Sequence, residues 1–296
     1  MNKSWTFSCI RVLIFALIFI PDLSFAQIRE ADRETILQVY LQDFTKADLS
    51  VKVQILKDAN LDNRIYNSVG TLFEFALQFA VQNSEVLTAD PGMTELICIA
   101  AKGAGNAGHR ESVDTLWILF SNYKDSLARI EILLALGKLG KGNGQIIGNL
   151  NNYLSAQNQA FKSGIAVDYP AISACIASLA ELGDSSSYPS LFSVISIGYP
   201  EMIVIEAAGT LDLIPGNYKQ FLFDVIIRNP PEEKLAAFRT GMNSTRFLPA
   251  EKGQLAEIAL EQGLASIGGE ENPSLSVLRY AAVSALTPLR WARASP

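Results

Sequence analysis

Gly103-Ala104-Gly105-Asn106-Ala107-Gly108 matches the G-x-G-x-x-G dinucleotide fingerprint glycine for glycine and follows an apolar run, Leu96 to Ala101. The fingerprint works between a strand and a helix, where backbone N–H groups face a pyrophosphate. A second strand must follow, with an acidic residue about 20 positions on. Here the segment Ser112 to Asn122 and the segment after Asp125 both carry helical periodicity, so that strand is missing. The glycines therefore read as a hairpin turn between helices, mirrored by Gly140 to Gly144, and no cofactor is expected.

Other candidate chemistry is thinner. Asp58-x-Asn60-x-Asp62 sets three oxygen ligands at the first, third and fifth positions of a calcium loop. Such a loop needs Gly at its sixth position and a bidentate Glu at its twelfth. Asn63 and Val69 stand there instead, which leaves a polar helix-ending turn with at most weak calcium affinity. His109 is the only histidine and sits beside Arg110 and Glu111. Zinc asks for three or four His, Cys or carboxylate ligands, and a Ser-His-Asp triad asks for a nucleophile elbow. Neither context surrounds it, so no catalytic, cofactor-binding or metal residue is assigned. Cys98 and Cys175 lie in the apolar stretches Leu96 to Ala100 and Ala174 to Ala177 and read as buried free thiols. Asn243-Ser244-Thr245 has the form of a glycosylation sequon. The clustered rings Phe73, Phe75 and Phe79, like Phe221 and Phe223, read as core filling.

The elements that would carry any such site follow one pattern. Ser126 to Gly140 is its clearest copy, with Leu127, Ile130 and Leu134 at helical spacing and Ile132, Leu133, Leu136 and Leu139 widening the apolar face. So wide a face implies a helix covered on more than one side. The copies align at positions 101, 136, 179, 211 and 286. Their unequal spacing fits degenerate helical hairpins better than a strictly periodic propeller or collagen.

Seven pairs follow from periodicity, from the glycine turns and from Pro170, Pro189, Pro200 and Pro231 near helix starts. They are Thr35–Lys46 with Ser50–Ala59, Asn67–Gln82 with Met93–Ala104, and Glu111–Asn122 with Asp125–Leu139. Gln145–Phe161 pairs with Pro170–Leu182, and Pro189–Ile197 with Pro200–Leu213. The last two are Tyr218–Arg228 with Pro231–Gly241 and Ala250–Ser266 with Ser274–Arg290. One hairpin cannot bury its apolar face alone, so neighbours must stack along a shared spine.

Arg129 to Gly140, Ala174 to Gly183 and Leu278 to Leu289 resemble the HEAT-repeat, or armadillo-like, family of α-solenoids, of exported bacterial type. Leu278-Arg279-Tyr280-Ala281-Ala282-Val283-Ser284-Ala285-Leu286 carries the Arg, small residues and Leu habitual in that family, and Arg129 is the matching basic residue in the earlier copy. Val51 to Leu56 matches loosely, and Leu235 to Phe238 lacks the Leu-x-x-Leu-Gly ending. The resemblance implies an all-α superhelix of about seven hairpins over residues 27–296, with a concave face that holds partners. It implies no single activity.

Composition narrows the setting. The chain of 296 residues is 49% hydrophobic and 18% charged, which is globular rather than disordered. Its net charge of −6 and the lack of a Lys/Arg cluster argue against a nucleic-acid partner, since phosphate neutralisation supplies most of that affinity. Lys3 and Arg11, the apolar run Val12 to Ile20, Pro21 and Ser24-Phe25-Ala26 form a signal peptide over residues 1–26, cut between Ala26 and Gln27. The run is shorter than the roughly 20 residues a membrane span needs. The expected mature protein is exported to the periplasm or the medium and is not integral to a membrane. A non-catalytic scaffold for another extracytoplasmic protein or an envelope component is the leading expectation. An enzyme acting on envelope glycans through a spatially assembled carboxylate pair is an alternative. A structural subunit is the other, its bare terminal face through Trp291 covered by a neighbour.

Overall fold

The computed structural model describes residues 30–65, 68–86, 90–264 and 272–289. The Ala26–Gln27 junction, the leader before it and Trp291 lie outside the described residues. Among the described residues the chain is all-helical, with no strand.

Fourteen α-helices follow one another among the described residues. The first four are α1 (Glu30–Lys46), α2 (Leu49–Leu61), α3 (Val69–Gln82) and α4 (Pro91–Ala107). After a 3₁₀ turn at Arg110–Ser112 come α5 (Val113–Asn122), α6 (Ser126–Leu139), α7 (Gly144–Lys162) and α8 (Tyr169–Leu182). A second such turn, Ser185–Ser187, leads to α9 (Tyr188–Ser196) and α10 (Glu201–Leu213). Then come α11 (Tyr218–Arg228), α12 (Pro231–Asn243), α13 (Pro249–Leu264) and α14 (Pro273–Leu289). These are the seven expected pairs, with ends displaced by a few residues.

Local chemistry sets the boundaries. Asp48, Asp90, Asp125, Asn143, Asp168 and Asn217 each accept a backbone N–H of the helix they precede. Each such cap satisfies a donor that the first turn leaves unpaired and contributes about 1 kcal/mol. Gly108 and Gly183 end α4 and α8 in the left-handed conformation, at φ of 67° and 64°.

The helices pack in two rows. The second helices of the pairs touch in succession, α2 on α4, α4 on α6, α6 on α8, and α8 on α10. First helices make narrower contacts, α1 on α3, α3 on α5, α7 on α9 and α11 on α13. The equivalent positions Ala101, Leu136, Leu179, Leu211 and Leu286 are all buried, within one core cluster that runs through both rows.

Small residues draw the middle of the second-helix row tight. A Cβ on Gly105 would sit 3.1 Å from Ala135 Cα, and one on Gly137 would sit 2.7 Å from Ser178 Cα. Ser178 Oγ donates to Leu133 O at 2.7 Å, from α8 to α6. Between α10 and α12 the row opens, and it closes again from α12 to α14. The α12 helix rests on α11, α13 and α14, touches α9, and has no comparably broad contact with α10.

A candidate groove on the second-helix row

Two clefts flank α10. One, of about 650 Å³, lies between α10 and α12, with Ile195 and Ser196 of α9 at its edge. The other, of about 660 Å³, is bounded by α6, α8 and α10. Each falls within the roughly 300–1,000 Å³ typical of ligand sites. Ile205 and Gly209 line both, so one turn of α10 forms the ridge between them.

The sequence of α10 explains the ridge. Ile203, Ala207, Thr210 and Leu211 are buried, which fixes the inward face. Met202, Ile205 and Leu213 point the other way and stand 67%, 55% and 75% exposed. Apolar side chains left in water along one helical stripe mark a surface built to be covered. Ile130 and Leu134 of α6 and Ala174 and Ile176 of α8 supply the apolar wall of the second cleft.

Polar groups close one end of the first cleft. The Asp212 carboxylate accepts Ser244 Oγ at 2.7 Å, Thr245 N–H at 3.1 Å and Thr245 Oγ1 at 3.3 Å. The Arg246 guanidinium donates to Ile214 O at 2.8 Å and Gly216 O at 2.9 Å, and lies over the Tyr218 ring. The end of α10 is thus tied to the turn after α12 by hydrogen bonds, while the helices stand apart along their length. At the other end Glu232 accepts Asn272 Nδ2 at 3.3 Å, and its own backbone N–H and Asn272 hold its carboxyl below the usual range. Arg239 is exposed on α12 and has no hydrogen-bond or ion-pair partner among the described residues. The lining is therefore apolar at its centre and charged at its rim, with Glu206 beside the second cleft.

The motifs singled out in the sequence lie elsewhere and do not converge. The glycine series is not a turn: α4 continues through Gly103 and Gly105 to Ala107, and the left-handed end comes only at Gly108. Its glycines serve packing, because a Cβ on Gly103 would fall 2.4 Å from the Phe73 ring. Their N–H groups are spent inside a helix, so they form no phosphate cradle. His109 Nδ1 lies 3.2 Å from Glu111 Oε2, and the imidazole packs over Gly70. Asp58 accepts Gln54 Nε2 within α2. Asp62 holds the Arg64 guanidinium at 2.7 Å and accepts the Tyr40 hydroxyl at 3.2 Å. The Arg64 hydrogen bonds pull the Asp62 carboxyl down to about 2. No group of three or more His, Cys, Asp or Glu that could hold a metal occurs among the described residues.

Among the described residues Cys98 and Cys175 are unbridged, Cys175 buried and Cys98 half-buried. Burial raises both thiols above their ordinary range, Cys98 to about 11. Among the described residues, every carboxyl group with a displaced pKa is displaced downward: Asp48, Asp62, Asp184, Glu232 and Glu251. A general acid for glycoside cleavage needs the opposite shift.

Leu127, Ile130 and Leu134 also fall differently from the sequence reading. Leu127 is 64% exposed, and Ile130 and Leu134 are half-buried, packed against the edge of the core and lining the second cleft, whereas Ile132, Leu133, Leu136 and Leu139 are buried. A helix apolar on two sides need be covered by its own chain on only one.

No protein-family model, no curated protein and no solved structure matches this chain.

Proposed function

We propose that the seven helix pairs form a HEAT-like solenoid, exported after loss of residues 1–26, that holds a partner protein in the groove along α6, α8, α10 and α12. The observation that carries this reading is the pair of apolar clefts meeting at the ridge of Ile205 and Gly209, beside the exposed Met202 and Leu213. The mechanism is burial of partner area across several repeats on a preformed surface, with rim charges setting orientation and encounter rate. No bond is made or broken. No described helix is long and apolar enough to cross a membrane, in keeping with a partner met outside the bilayer.

A photoreactive amino acid tests the site. Placed at Ile205 or at Leu213, it is expected to give a discrete adduct with one partner in extracts of the native envelope. Placed at Ile118, exposed on the first-helix row, it is expected to give none. Equal labelling from both rows removes the groove from consideration. N-terminal sequencing of the exported protein is expected to begin at Gln27.

A second reading has its own observation. Val277, Tyr280 and Val283 are 43%, 78% and 51% exposed along one side of α14, the last described helix. Apolar side chains left exposed along one stripe mark a surface built to be covered. A structural subunit whose α14 face is covered by a neighbour accounts for that stripe. It predicts an assembly whose size falls when Tyr280 is changed to Asp.

A further inference from the structure

From the setting of Gly209, resting on the groove reading above, we infer that the partner's contact element is an amphipathic α-helix with basic ends, crossing α10 with its backbone against Gly209.

A glycine inside a helix weakens it relative to alanine, so it calls for a reason in packing or in close approach. Within the core the reasons are visible. Gly103 makes room for Phe73, Gly105 for Ala135, Gly137 for Ser178 and Gly241 for Leu255. Gly209 has none of these, since a Cβ there meets no atom within 4 Å. Gly148 of α7 is equally open but borders neither cleft. Gly209 is exposed at the low point of the ridge where both clefts meet, with Ala208 beside it. The missing side chain lowers the ridge to backbone height. Small residues at a helix crossing let two backbones approach closely, and ridge-into-groove packing then sends the flanking side chains of the incoming helix to either side. Here they would fall into the two clefts, whose sizes match within a few per cent.

Charge selects among apolar helices. Glu201 and Glu206 are exposed on α10, and Glu232 is exposed across the first cleft. Asp212 is already occupied by Ser244 and Thr245, and Arg239 is the cation of the lining. An apolar floor with a mainly acidic rim complements a helix whose apolar face is bounded by Lys or Arg. An acyl chain fits less well, because the ridge divides the space into two open clefts in place of one enclosing tunnel.

The test is selection of a displayed library of 18-residue amphipathic helices, apolar face randomised and ends fixed as Lys or as Glu, on the full-length protein. Enrichment is expected among Lys-ended helices with a small residue at the centre and large apolar residues one turn to either side. The recovered peptide should bind Gly209→Leu at least about tenfold more weakly, the loss of one good contact. Gly209→Leu should melt no lower than the wild type, because its Cβ meets no atom within 4 Å and leucine favours a helix over glycine. Ile205→Glu serves as the second variant. If binding falls with Ile205→Glu and is unchanged by Gly209→Leu, the groove stands and the backbone crossing is wrong. If neither substitution matters, both readings fall. No enrichment, enrichment of Glu-ended helices, or displacement of the peptide by palmitate also overturns the inference.

Discussion

Around α6 the second-helix row is closed, and around α10 it is open, although both helices carry a glycine within the helix. Gly137 is buried against Ser178 of α8, while Gly209 faces solvent between two clefts. The same residue type serves opposite ends. At α6 it lets two helices of this chain touch, and the interhelical hydrogen bond from Ser178 to Leu133 completes the contact. At α10 it leaves a place where another backbone can touch. Closed packing contributes stability; the open stretch gives up some of it for a surface.

The sharpest way to break the comparison is to put the same methyl group on both glycines. Gly137→Ala drives a Cβ to within 2.7 Å of Ser178 Cα and 2.9 Å of Ser178 Cβ. Backbone cannot rotate aside, so α6 and α8 must part. Overpacking of this kind costs about 1–3 kcal/mol. Thermal melting should fall by roughly 5 °C for a chain of this size. An unchanged melt would mean the closed half of the row is looser than its geometry.

The open half is held by polar ties, so it should respond to their loss. Asp212→Ala deprives Ser244 Oγ, Thr245 N–H and Thr245 Oγ1 of their acceptor, and Ser244 is only 4% exposed. A cost of about 1–2 kcal/mol is expected, since a buried donor left unpaired loses its water as well. Amide exchange should quicken in the turn after α12 and at the end of α10, and stay unchanged in α4, α6 and α8. Faster exchange throughout would make the two halves one cooperative unit.

Much of this was legible in the sequence. Helical periodicity and the Asp, Pro and Gly punctuation located the paired helices because those signals act over a few residues. The five aligned positions lie in the core because each helix pair poses the same burial problem. The groove was less legible for physical reasons. Leu127, Ile130 and Leu134 are as apolar as the core stripe, and hydrophobicity alone does not say which face the chain itself covers. Gly103 and Gly105 read as a turn in the sequence because a glycine that admits a neighbour and a glycine that bends a chain look alike until the neighbour is known. One signal was present: Leu235 to Phe238 lacks the Leu-x-x-Leu-Gly ending of Leu136 to Gly140 and Leu179 to Gly183, and α12 makes no broad contact with α10.

Acid offers a milder contrast between the ends of the row. Asp62, in the first hairpin, has its carboxyl held down to about 2 by the Arg64 hydrogen bonds, against an ordinary value of 3.8. A depressed folded-state pKa means that the unfolded chain binds the proton more readily between those two values. The contribution is whole above about 4 and is lost as pH falls toward 2. Amide exchange in α1 and α2 should rise over that window, and Asp62→Asn should flatten the rise. Solvent screening keeps the effect modest.

The smallest expected effect is the most informative. Gly209→Ala adds a methyl group that meets nothing within 4 Å and gives α10 a better helix former at an interior position. The unfolded chain also loses conformational freedom. Both effects stabilise, by about 0.5–1 kcal/mol in total, so the melt should rise by a degree or two where Gly137→Ala lowers it. A gain from one methyl group means the natural residue is not the one folding alone would favour. Proteins give up stability where function needs the space. If Gly209→Ala instead lowers the melt, α10 is more closely covered by its own chain than its exposure indicates, and the open half of the row becomes a loosely packed version of the closed half.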